Sequence, residues 1–96
     1  VFEIEDEEIL NAVKYHTTGR ENMTLLEKII YMADLIEEGR YFPKVEELRE
    51  LTYSGKLEEA LILSFNNTIK FVIDNNQLIH PRTVKARNNI LSKILW

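Results

Sequence analysis

Ninety-six residues, 45% hydrophobic and 29% charged, make one domain at most, with a single soluble core. The absence of cysteine excludes a disulfide framework, a thiolate metal site and a thiol nucleophile, and fits a reducing compartment. Net charge is −4, but residues 1–60 carry 15 acids and 7 bases whereas residues 61–96 carry 1 acid and 5 bases. The acidic part argues against a nucleic-acid polymer as partner, because backbone binders draw affinity from many Lys and Arg contacts.

No apolar run approaches the roughly 18 residues of a membrane span, so no membrane association is expected. The acidic start (Glu3, Glu5, Asp6, Glu7, Glu8) is unlike a secretory signal or transit peptide, which points to a cytoplasmic protein. The chain begins at Val1, which reads as the later part of a longer polypeptide.

Apolar residues recur at helical spacing almost throughout, which predicts an all-α domain over 1–96 with about five helices. The first spans about Asp6 to Tyr15, with Ile9, Leu10 and Val13 on one face and Gly19 just past its end, suited to a left-handed cap. The second spans about Leu25 to Glu37. Thr24 and Glu27 form a capping-box pattern at its start, and Gly39 follows its end. Its apolar residues cover more than half of its circumference, so it should be central.

The third helix starts near Pro43 and ends before Gly55; being short and charged, it should be peripheral. The fourth spans Leu57 to Asp74 and should pack on the second. Ser64 and Thr68 fall inside its apolar arc, where each hydroxyl can bond the carbonyl four residues back, a structural role. Asn75-Asn76 ends it. The fifth follows His80-Pro81 and runs to about Lys93. Its basic residues, Arg82, Lys85, Arg87 and Lys93, either form a solvated face or meet a small anion. Leu95 and Trp96 offer an apolar contact, within the chain or in a homodimer.

Few residues could carry chemistry. His16, in Tyr15-His16-Thr17-Thr18-Gly19-Arg20, either interacts with the last carbonyls of the first helix or serves as a metal ligand or acid/base. Asp34 interrupts the apolar second helix at the edge of its arc. It is either a border carboxylate or a semi-buried metal ligand whose desolvation a cation offsets. Arg20 and Arg40 each follow a glycine at a helix exit, where a guanidinium can fork onto phosphate. Gln77-Leu78-Ile79-His80-Pro81 places apolar residues and a histidine on a connection, covering the core or walling a flat base. There is no phosphate loop, dinucleotide turn, zinc-protease motif or nucleophile elbow. Two histidines and one aspartate do not fill a metal site, and nothing in the spacing ties His80 to His16.

Three segments together resemble a known family: Tyr15 to Arg20; Ile30-Tyr31-Met32-Ala33-Asp34-Leu35-Ile36-Glu37-Glu38-Gly39-Arg40; and Leu78-Ile79-His80-Pro81-Arg82-Thr83 with Ala86-Arg87-Asn88. Their order and spacing resemble the C-terminal portion of the YqeK-type HD-domain phosphohydrolases, which are symmetrical diadenosine tetraphosphate hydrolases. The resemblance covers essentially the whole chain. It implies an all-helical HD-domain-like bundle whose N-terminal helices are missing, and a two-iron centre. His16 matches the last histidine ligand and Asp34 the final aspartate. Arg40 matches a phosphate contact, and Gln77, Leu78, Ile79, His80, Pro81 and Arg82 match a loop enclosing the nucleotide; Arg20 is a further candidate phosphate contact.

The implied reaction is hydrolysis of the tetraphosphate by metal-activated water, yielding two ADP. The chain lacks the family's adjacent His-Asp pair and its other histidine ligands, so by itself the centre is incomplete. The competing readings are an HD phosphohydrolase with another nucleotide substrate, and a helical interaction module without catalysis.

Overall fold

The computed structural model describes residues 6–95. The acidic Glu3 and Glu5 and the terminal Trp96, read above as a signal-excluding start and an apolar contact, lie outside them. Five helices run in chain order: α1 (Asp6–Lys14), α2 (Leu25–Leu35), α3 (Val45–Tyr53), α4 (Leu57–Asp74) and α5 (Pro81–Leu95), with no strand among the described residues. The all-α reading is borne out, and the bounds of α4 coincide with those expected.

Local chemistry sets the ends. Thr24 accepts a bond from the Glu27 amide while the Glu27 carboxylate accepts one from the Thr24 amide, the reciprocal cap that the Thr-x-x-Glu spacing encodes. α4 ends in a Schellman motif. Asn76 takes φ 54°, the Gln77 amide donates to the Val72 carbonyl and the Asn76 amide to the Ile73 carbonyl. α5 begins with the His80 imidazole Nδ1 accepting from the Arg82 amide at 3.1 Å, and Pro81 takes the first helical position, where no donor is needed.

α2 stops at Leu35, four residues before Gly39. The cause lies elsewhere in the chain: Arg49 on α3 donates to the carbonyls of Ile36, Glu37 and Arg40 at 3.0, 2.8 and 2.9 Å. These contacts satisfy carbonyls that further helical turns would have used.

α4 packs against α5, α3 and α2, and α1 packs against α2. The core is built on α4, whose Ala60, Leu61 and Phe65 are fully buried, and it closes with Met32, Leu48 and Ala86. Tyr31 tilts against Phe65 with ring centroids 5.1 Å apart. α3 is less peripheral than its charge suggests, because Val45 and Leu48 are core residues.

α2 is central on one face only. Tyr31, Met32 and Glu27 are buried, while Leu25, Ile29 and Ile30 are exposed. On α1, Ala12 is buried and the expected apolar face of Ile9, Leu10 and Val13 is exposed. Helical period reveals that a face is apolar, not that a partner covers it.

Candidate functional site

The first candidate region is the turn from Tyr15 to Thr24. His16 Nδ1 lies 2.5 Å from the Val13 carbonyl. Since a carbonyl only accepts, Nδ1 carries the proton in the neutral ring, and Nε2 keeps its lone pair. The contact ties off a last-turn carbonyl of α1, as the structural reading of His16 expects.

Gly19 takes φ +71°, and a Cβ there would lie 2.8 Å from the Phe65 ring and 3.1 Å from Ala86. The turn is thus pressed onto α4 and α5 at a point only glycine permits. From α5, the Thr83 hydroxyl donates to the Thr18 carbonyl at 3.0 Å. The Arg82 guanidinium stands 5.2 Å from the Tyr15 ring centroid and the Arg20 guanidinium 4.6 Å from it, within cation–π range. The fold thereby joins the His16 segment to the start of α5, a link that spacing alone did not show.

Arg20 is engaged inward. Its Nε and Nη2 donate to the two Glu27 oxygens at 2.6 and 2.8 Å, and Glu27 is only 1% exposed. Burial pushes the Glu27 carboxyl up, but the bonds from Arg20 and Thr24 outweigh it and hold the group below its ordinary value. The Glu27 bond likewise raises the Arg20 guanidinium. A phosphate contact from Arg20 would have to use Nη1 or break this fork.

The second region is the exit of α2. Arg40 Nη2 donates to Asp34 Oδ2 at 3.2 Å, with both side chains about half exposed. The Arg40 amide donates to the Glu37 carbonyl, and Arg49 clamps the same turn. Asp34 and Arg40, six residues apart in sequence, thus meet at one surface. In the segment Gln77 to Arg82, Gln77, Leu78, His80, Pro81 and Arg82 are exposed, and Ile79 is partly covered.

Beside Arg40, between the exit of α2 and the second half of α4, lies an open cleft of about 600 Å³. Leu48 and Ser64 form its floor, and Leu35, Phe42 and Phe71 line it. Among the described residues no group of three or more His, Asp or Glu side chains could hold a metal ion. His16 and Asp34 are of a donor type that suits a divalent metal, but each could supply only part of a ligand set. The Arg20–Glu27 fork, the approach of Arg82 to Tyr15, the Thr83–Thr18 bond and the cleft beside Arg40 escaped the sequence reading, because only the fold brings those residues together.

No family model matches the chain. Curated proteins do. The chain is 48% identical over 89 residues to the symmetrical bis(5'-nucleosyl)-tetraphosphatase of Bacillus subtilis, covering 93% of this chain and 47% of that protein. It is 50% identical over 88 residues to the protein of the same name from Halalkalibacterium halodurans, covering 92% and 46%. The chain spans about half the length of the curated relatives it matches.

Among solved structures, a predicted HD superfamily hydrolase involved in NAD metabolism from Clostridium acetobutylicum superposes with a TM-score of 0.88. It is 56% identical and covers 94% of this chain and 47% of that one. In sequence and in fold, the chain resembles the C-terminal portion of the HD-domain symmetrical bis(5'-nucleosyl)-tetraphosphatases.

Proposed function

We propose that the chain is the C-terminal part of a metal-dependent phosphohydrolase that cleaves diadenosine tetraphosphate symmetrically to two ADP. The observation that carries this reading is the contact of Asp34 with Arg40 on one half-exposed surface, in a chain about half identical to named tetraphosphatases. His16, through its free Nε2, and Asp34 are its two contributions to a metal centre of iron or a similar divalent ion. A divalent metal supplies Lewis acidity and lowers the pKa of water at such a site.

The chain's own residues do the rest. Arg40 binds and orients a phosphate beside Asp34, and its charge stabilises the negative charge that develops on the departing phosphate. Arg82, held over Tyr15, and the loop Gln77–Pro81 enclose a nucleoside on the His16 side. Arg20 positions this turn through its fork to Glu27 rather than by holding substrate.

The remaining ligands belong to the half of the relatives that this chain does not span. The exposed Ile9, Leu10, Val13, Leu25, Ile29 and Ile30 support a further packing layer over α1 and α2, since apolar surface of this extent favours cover.

The test is substitution in the full-length polypeptide. Asp34→Ala should abolish iron retention and turnover while leaving helical content unchanged. Arg40→Ala should weaken ADP binding at least tenfold while changing stability by under about 1 kcal/mol, because its ion pair is half exposed. Full iron content and turnover in Asp34→Ala, or unchanged ADP affinity in Arg40→Ala, would refute these assignments.

A further inference from the structure

Arg82 differs from the other arginines in how it is held. Arg20 forks onto Glu27 and Arg40 pairs with Asp34. Arg49 donates to Glu46 and to three carbonyls, and Arg87 donates to Asn66 and Asn88. Among the described residues, the Arg82 guanidinium donates to none; only the Arg82 amide does, to His80 Nδ1. The guanidinium is exposed and stands over the Tyr15 ring, 5.2 Å from its centroid.

A ring attracts a guanidinium through its π-face and does not tie up the N–H donors as a carboxylate would. Arg82 is therefore held in place while its donor fork stays open to an outside acceptor.

The backbone beneath it is fixed as well. His80 Nδ1 accepts from the Arg82 amide at 3.1 Å, and the next residue, Thr83, donates through its hydroxyl to the Thr18 carbonyl at 3.0 Å. These bonds tie the first turn of α5 to the turn that follows Tyr15. They fix the Arg82 Cα but not the end of a long side chain rich in rotamers. The Tyr15 ring acts on that end.

Arg20 shares the ring, at 4.6 Å from its centroid. Its position does not depend on the ring, because two charged bonds to Glu27 at 2.6 and 2.8 Å set it. Glu27 neutralises Arg20, so the charge of Arg82 is left over at this turn and favours an anion there.

We infer that Tyr15 is a positioning residue: its ring holds the Arg82 guanidinium beside the His16 turn, donors open, where Arg82 takes a phosphate oxygen of the nucleotide. Tyr15 acts through Arg82 and does not itself touch the nucleotide. The inference rests on the proposed function, which supplies that ligand.

The experiment measures the Kd for ADP by calorimetry, with Tm alongside, in the full-length polypeptide and its variants Tyr15→Leu, Tyr15→Phe, Arg82→Ala and Tyr15→Leu/Arg82→Ala. Tyr15 is only partly buried and Arg82 is exposed, so the variants should fold. Tyr15→Leu should weaken ADP binding about two- to fivefold, the worth of a cation–π contact at such a site. Tyr15→Phe keeps the ring and should change it less than about twofold. Arg82→Ala should weaken it at least as much as Tyr15→Leu does. In the Arg82→Ala background, Tyr15→Leu should have no further effect, because the group it positions is gone. A merely structural Tyr15 would lower the affinity equally in both backgrounds, and that result would overturn the inference. So would unchanged affinity in Tyr15→Leu or in Arg82→Ala, or a loss in Tyr15→Phe as large as in Tyr15→Leu. A wild-type protein that binds no ADP would instead sink the proposed function, a separate failure.

Discussion

The Arg20–Glu27 pair makes the sharpest stability prediction. Arg20→Ala leaves a carboxylate that is 1% exposed with only Thr24 beside it, whose amide donates at 3.2 Å. Breaking a buried pair from one side costs about 3–5 kcal/mol. The Arg20 side chain is 30% exposed, so water can reach part of the vacated space, and we expect about 2–3 kcal/mol. For a domain of this size that corresponds to a fall in Tm of about 10–20 °C.

Urea and thermal unfolding followed by circular dichroism measure it. Glu27→Gln removes the charge from the other side, and the double variant should show a coupling of more than about 1 kcal/mol. The pH dependence has a definite sign. The folded Glu27 titrates below its unfolded value, so its contribution is complete above the unfolded value and is lost as pH falls through the folded one. Glu27→Gln should therefore flatten the acid limb of the stability curve. A Tm change under 2 °C in Arg20→Ala, or an acid limb in Glu27→Gln as steep as in the wild type, would refute the claim that Arg20 is a structural partner.

Gly19→Ala combines a left-handed φ with a Cβ 2.8 Å from Phe65; a loss of about 2–4 kcal/mol is expected in urea unfolding, and a neutral effect would contradict the close approach. Arg49→Ala frees three carbonyls at the exit of α2. Amide exchange should rise across residues 36–44 and ADP binding should weaken through misplacement of Arg40, whereas exchange confined to α3 would show that the clamp does not hold that turn.

Much of the fold was legible because its signals are local. The fourth helix has strong period and breakers at both ends, and Thr24-x-x-Glu27 encodes its own cap. What was illegible depends on partners distant in sequence. Glu27 reads only as a capping residue, since nothing nearby indicates that Arg20 will fold over it. α2 reads as longer than it is, because the residue that takes its last carbonyls is Arg49. Ser64 reads as a hydroxyl bonded to its own helix, whereas in the fold it lies against the Tyr31 phenol of α2. At the site, the Asp34–Arg40 contact follows from a short turn, whereas the tie between Tyr15 and Arg82 needs the whole bundle.

The central claim is tested most directly by measuring iron content and diadenosine tetraphosphate hydrolysis of the full-length polypeptide beside the 96-residue chain. Bound iron and cleavage to ADP alone in the long form, with neither in the short one, is the predicted result. No iron and no cleavage in either form would contradict the phosphohydrolase reading and leave a helical interaction module in its place.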